Sequence, residues 1–216
     1  MSPRRAAAHT RSALVDIGAR LLAEEGPGAL STRRLAAEAG SSTMAVYTHF
    51  GGMSGLVREM VHEGFARLQR YLTGVGRTDD PVADMALLGR AYRGNALANP
   101  HLYPVMFGTF PLAGFTLSDD DRQYGRFTLT NVARCAARCV AAGRFAPADP
   151  ELVAHHMWIA THGLVTLELG RYLVGPFTAD AVFEAQLVGM MVSAGDDPAA
   201  ARHSVADSAA RVPEVA

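Results

Sequence analysis

Residues 31–56 read STRRLAAEAGSSTMAVYTHFGGMSGL, and this short run settles the architecture of the whole chain. Ser31 or Thr32 can cap a short helix whose Leu35, Ala36 and Ala39 fall on one side. Gly40 supplies the positive φ that ends that helix. Ser41 and Ser42 open a second short helix. It carries Val46 and Phe50 inward, and Thr43, Met44, Tyr47, Thr48 and His49 outward. A glycine pair follows, and Ser54 opens a third helix.

Two short helices joined by a glycine turn form a helix-turn-helix unit, whose second helix enters a major groove. The outward residues suit that task. They offer hydroxyl, methyl and aromatic groups to base edges and phosphates, and they include no carboxylate to repel DNA. Upstream, residues 10–25 place Leu14, Ile17, Gly18, Leu21 and Leu22 on one stripe before Gly26, Pro27 and Gly28 stop the helix.

Three features together resemble the DNA-binding domain of TetR-family transcriptional regulators over residues 10–56. They are the LLAEEGPGAL turn, the helix Thr32-Arg33-Arg34-Leu35-Ala36, and the recognition helix ending Tyr47-Thr48-His49-Phe50. The resemblance implies that Arg33 reaches a guanine edge and that Tyr47 and His49 hold phosphates. Thr32, Ser42, Thr43, Met44, Ala45 and Thr48 complete the implied DNA-binding set. The chain departs from the family at Met53, where a phosphate-binding Lys is usual.

Composition narrows the rest. A chain of 216 residues can bury a sizeable core. It has no uncharged apolar run of membrane-spanning length, and its basic N-terminus lacks the apolar stretch of a signal peptide, so a cytoplasmic protein is expected. All 20 basic residues are arginine, which excludes a P-loop lysine and a Schiff-base lysine. The net charge is −1, yet residues 1–50 hold six Arg against four acids. Residues 1–9 read as a flexible basic arm. No G-x-S-x-G, H-E-x-x-H or G-x-G-x-x-G pattern occurs, so no enzyme is expected.

Beyond the head, an apolar stripe continues along residues 54–72, a helix able to couple two domains. The polar run 73–80 marks a boundary. Asp80 and Pro81 open the next helix, and residues 108–117 form an uncharged loop. Ser118 and Asp121 form a capping box before a helix over 119–142 with Tyr124, Phe127, Thr128, Asn131, Cys135 and Arg138 on one face. The helix over 150–174 is apolar on nearly every side, and a helix from Thr178 carries Phe183, Leu187, Met190 and Met191. Trp158, His162 and Gly163 resemble the W-x-x-x-H-G signature of a C-terminal domain in one branch of the family. Residues after 195 lack aromatic groups and read as a disordered tail.

The chain is therefore expected to be all-α. A helix-turn-helix head over 1–52 precedes a ligand-binding and dimerisation domain over 53–195 and a tail over 196–216. Family resemblance implies a repressor that binds a palindromic operator as a homodimer through its last two long helices and is released by a small ligand. The alternative is a DNA-binding regulator answering to a partner protein or to thiol redox at Cys135 and Cys139, which sit one helical turn apart. No cofactor or metal is expected. Tyr92, Met106, Phe107, Phe110, Tyr124, Phe127, Asn131, Trp158 and His162 are the expected ligand-binding residues. Few charges fall among them and only Arg93 and Arg138 could reach in, so a neutral or weakly polar, largely hydrophobic ligand is expected.

Overall fold

The computed structural model describes residues 3–108 and 118–211, and these form helices and turns without a strand. They fall into two compact units. Residues 1–67 with 99–125 make the first, and residues 68–98 with 126–216 make the second. The division thus lies inside the helix over residues 53–73, upstream of the polar run 73–80, and the described residues 99–108 and 118–125 pack with the head.

In the first unit, α1 (Pro3–Glu25) leads through a 3₁₀ turn (Pro27–Ala29) to α2 (Thr32–Glu38), α3 (Thr43–Phe50) and α4 (Met53–Thr73), whose residues from Leu68 onward belong to the second unit. The expected flexible arm is helical from Pro3 onward. Leu14, Val15, Leu21, Leu22, Leu35, Val46, Leu56 and Met60 are at most 1% exposed and form the small core. Phe50, expected inside, is only half-buried. Ser31 rather than Thr32 caps α2, its hydroxyl accepting from the Arg34 N–H at 3.3 Å. After α2 the Ser41 N–H donates to the Ala36 carbonyl and the Gly40 N–H to Ala37, a Schellman closure with Gly40 at φ 59°. The turn into α4 needs more glycine still. Gly51 and Gly52 have φ of 70° and 129°, and a Cβ on Gly55 would lie 1.7 Å from the Phe50 carbonyl oxygen.

The helices α6 (Leu102–Met106) and α7 (Asp119–Gln123) also belong to this unit. The capping box read at Ser118 and Asp121 is present. The long helix expected over 119–142 is broken, however. A 3₁₀ turn (Tyr124–Thr128) separates α7 from α8 (Leu129–Ala141). Gly125 sits against the Phe65 ring, where a Cβ would meet the ring at 2.2 Å, and Tyr124 stacks on His62 at 3.8 Å.

The second unit holds α5 (Pro81–Ala98), α8, α9 (Pro150–Leu169), α10 (Ala179–Ser193) and α11 (Pro198–Ala209). Asp80 caps α5 as expected, accepting from the Val82 and Ala83 N–H groups. The expected disordered tail is instead α11, which packs on α5 and α10. Asp197 caps it and Pro198 takes its first turn. It buries Ala201, Ser204, Val205 and Ser208. Small residues let two helices approach closely without large apolar groups, which is why low hydrophobicity here did not mean disorder.

Buried carboxylates lock this packing. Asp84 is 1% exposed and accepts from Arg138, Arg211 and Thr78. Burial alone would raise its pKa. The Thr78 N–H and the Arg211 and Arg138 guanidiniums overturn that and hold it below the usual carboxylate range. Arg144 grips Asp196 at 2.7 and 2.8 Å, and Arg90 binds Glu184, Ser208 and the Val205 carbonyl. No described helix is long and apolar enough to cross a membrane.

Candidate nucleic-acid interface and ligand cavity

The head presents α3 outward. Thr43, Met44, Tyr47 and Thr48 are exposed, Met44 at 65% and Tyr47 at 54%, while Val46 alone is fully buried. Ser42 stands at the N-cap, Ala45 and His49 are half-buried, and Thr32 is half-buried at the start of α2. An exposed methionine and tyrosine on a short helix have no role in the core of the head. They are free to touch a groove.

The head's charges sort into used and unused. Arg34 is held by both oxygens of Glu25 at 2.7 and 2.6 Å and by Glu38. It ties α2 to the end of α1. Arg20 takes Glu24 and Glu38, and Arg11 takes Glu59 at 2.6 Å. The acids Glu24, Glu25 and Glu38 are thereby neutralised by neighbouring arginines. Arg33 is exposed and makes no ion pair among the described residues.

Of the nine expected ligand residues, Met106, Phe107 and Tyr124 belong to the first unit and Tyr92, Phe127, Asn131, Trp158 and His162 to the second. Phe110 lies outside the described residues. Met106, Phe107 and Tyr124 serve the packing of the first unit. Met106 fills the space over Gly64, where a Cβ would be 2.4 Å away, Phe107 meets the edge of Phe65 at 5.7 Å, and Tyr124 stacks on His62. Phe127 is 39% exposed and lines a surface groove with Glu151 and His155.

Tyr92, Trp158 and His162 do meet, inside the second unit. The Trp158 indole N–H donates to the Tyr92 hydroxyl at 3.3 Å, and that hydroxyl lies 3.2 Å from His162 Nδ1. Burial lowers the His162 pKa and so favours the neutral ring. Tyr92 and Trp158 line a narrow cavity of about 40 Å³ with Met85, Met157, Met190 and Thr161. Methionine-rich walls are adaptable, because the unbranched thioether repacks at low cost. Asn131 faces a separate cavity of about 220 Å³ beside Arg77 and Arg134. Neither arginine was expected at a site. The readable signal was Arg134, which has no acid three or four residues away and a like charge, Arg138, at i+4.

Arg93 and Arg138 are not available to a ligand. Arg93 holds Glu168 and Asp180 and stacks over Phe183 at 4.9 Å, and Arg138 holds Asp84. Cys135 and Cys139 are both buried. The Cys135 thiol donates to the Pro81 carbonyl, and its hydrogen bond to Cys139, together with burial, pushes the Cys139 thiol up, away from thiolate. That is a poor setting for a redox sensor. Among the described residues, no three His, Cys, Asp or Glu side chains gather as metal ligands.

Comparison with known proteins places these features. The profile described as "Bacterial regulatory proteins, tetR family" matches residues 14–60. The profile described as "Tetracyclin repressor-like, C-terminal domain" matches residues 85–190. No curated protein matches the chain. Among solved structures, a protein of unknown function from Rhodococcus sp. RHA1 is 28% identical with a TM-score of 0.71, over 87% of this chain and 96% of that one. The TetR-family transcriptional regulator PfmR from Thermus thermophilus is 19% identical with a TM-score of 0.66, over 85% and 99%. RolR, solved in complex with resorcinol, is 18% identical with a TM-score of 0.63, over 99% and 100%.

Proposed function

The chain belongs to the TetR family and is a DNA-binding transcriptional regulator, not an enzyme, and from that membership we propose that it is a repressor. In this reading it binds a palindromic operator as a homodimer and leaves when a small hydrophobic ligand enters the second unit. The observation that carries the reading is the exposed, carboxylate-free surface of α3 together with the exposed Arg33, which makes no ion pair among the described residues. A bidentate arginine to guanine O6 and N7 is the most common specific contact, and hydroxyl and aromatic groups suit phosphates.

Support for a dimer comes from α9. It buries Val153, Met157, Thr161, Leu164 and Val165 within its own chain, yet leaves Leu152, Ile159 and Leu167 at 54%, 60% and 47% exposure. On α10, Ala181, Ala185 and Gly189 are exposed at four-residue intervals. A Cβ on Gly163 or Gly189 would meet nothing within 4 Å. An exposed helical glycine costs about 1 kcal/mol against alanine, and a helix packed closely over it from a second copy gives that cost a purpose. Such an interface is self-complementary and sets two heads on half-sites about 34–36 Å apart. The helix α4 is continuous through residues of both units, so a ligand that binds two states of the second unit unequally has a rigid element through which to act.

Two measurements test this. Fluorescence anisotropy of selected duplexes should show affinity falling steeply as salt rises, because phosphate contacts release counterions. Arg33→Ala should cost about 1–3 kcal/mol on the correct site and relax one base position, whereas Tyr47→Phe should weaken all sequences alike. Equal losses on specific and random DNA for both variants would remove the assignment. Separately, Ile159→Arg should convert the dimer to a monomer in sedimentation velocity, since a symmetric interface receives the charge twice. A dimer that survives this change does not use α9.

A further inference from the structure

Most ion-pairing arginines of the second unit are committed. Arg90 holds Glu184, Arg93 holds Glu168 and Asp180, Arg144 holds Asp196, and Arg138 and Arg211 share Asp84. Arg77 and Arg134 differ. Both are exposed, neither makes an ion pair among the described residues, and both line the 220 Å³ cavity. The same cavity receives Asn131, whose amide nitrogen is sealed from solvent and has no acceptor among the described residues. A buried donor left unmade is costly, and a turn of the side chain into the cavity, where an anion can accept from it, removes that cost.

The charge of the cavity follows from its lining, three arginines against the single carboxylate of Asp84. That carboxylate is already bound by Arg138 and Arg211. The remaining positive charge belongs to Arg77 and Arg134, which no described residue neutralises. Apart from Thr73 the other walls are apolar or backbone, and two of their residues, Leu72 and Leu88, also line the narrow cavity of Met85, Met157 and Trp158. A basic chamber and an apolar chamber therefore share a wall. We infer that the second unit takes a hydrophobic carboxylic acid. Its carboxylate accepts from Arg77, Arg134 and Asn131, and its hydrocarbon or aromatic body lies past Leu72 and Leu88 among the methionines. Planar guanidinium forks match a carboxylate, and neither a bare phosphate nor a neutral alcohol uses both chambers. The inference rests on the small-molecule reading above and names the class of molecule.

The test uses the full chain and calorimetric titration with sodium octanoate, sodium benzoate, 1-octanol, benzyl alcohol and inorganic phosphate. One acid should bind at least tenfold more tightly than its own alcohol. The double change Arg77→Ala with Arg134→Ala should weaken that acid ~10–100-fold, as expected for lost charge-assisted bonds, and leave the alcohol unchanged. Neither arginine has an ion pair to lose, so the thermal midpoint of the unliganded variant should match the wild type. Asn131→Leu should weaken the acid as well. The inference is overturned if neither acid binds, if alcohol and acid bind alike, if phosphate binds as tightly as the better acid, or if the double change leaves the acid's affinity intact. DNA anisotropy on the same samples separates the two readings. A chain that selects a DNA sequence but ignores both acids loses only the ligand class. One that binds an acid as described but prefers no DNA sequence keeps the ligand class and loses the repressor reading.

Discussion

Removing residues 197–216 is expected to unfold the second unit. The cut leaves Asp196 and its bond to Arg144 in place, so the loss can be assigned to α11. Asp84 would lose Arg211, Asp80 would lose the Ser204 hydroxyl, and Arg90 would lose Ser208 and the Val205 carbonyl. The fully buried Val82, Ala83 and Ala86 on α5 belong to a helix that packs heavily on α11. Breaking one buried ion pair costs about 3–5 kcal/mol. That one loss, together with the three hydrogen bonds at about 0.5–3 kcal/mol each and the newly exposed apolar surface, reaches the roughly 5–15 kcal/mol that a domain of this size has in total. Urea unfolding followed by circular dichroism should therefore lose the second unit's transition in the truncated chain. Val205→Asp, which places one charge in the same contact, should lower the midpoint without removing the helix. If the truncated chain unfolds at the same urea concentration as the full one, α11 contributes nothing.

The second large effect is expected at Gly55. A Cβ there would overlap the Phe50 carbonyl oxygen at 1.7 Å, and that atom is backbone. No rotamer change relieves such a contact, so either α3 or the start of α4 must move. Forcing an extra methyl into a tight contact typically costs about 1–3 kcal/mol, occasionally more. The head has a small core in which to absorb the shift. Gly55→Ala should abolish sequence-specific DNA binding while the second unit keeps its thermal transition. Gly28→Ala is the matched control, because a Cβ there meets nothing within 4 Å and the backbone is not left-handed. It should bind DNA as the wild type does. Equal DNA affinity for both variants would mean that the turn after α3 tolerates displacement.

The head was legible because its signals are local. Ser31, Gly40 and the Gly51-Gly52 pair each announce a backbone state, and the stripe through Leu35 and Val46 needs no distant partner to be recognised. Residues whose roles depend on distant neighbours were not legible in this way. Tyr124 and Asn131 share a face only if the helix between them is unbroken, and Gly125 against Phe65 accompanies the turn that breaks it. α11 escaped because alanine and serine pack by proximity rather than by bulk. Arg34 and Arg33 are adjacent in sequence, and only the position of Glu25 and Glu38 separates a structural tie from an available cation.

The chain has a single tryptophan, and it stands in the wall of the apolar cavity with its indole nitrogen on the Tyr92 hydroxyl. Its emission is therefore a private optical channel to the second unit. Tyr47 and the rest of the head are dark at excitation wavelengths selective for indole. A titration that quenches or shifts the emission reads occupancy of the cavity, and a labelled duplex read at a longer wavelength reports DNA in the same cuvette. Cause and response can thus be timed against each other in the wild-type protein, without a single substitution.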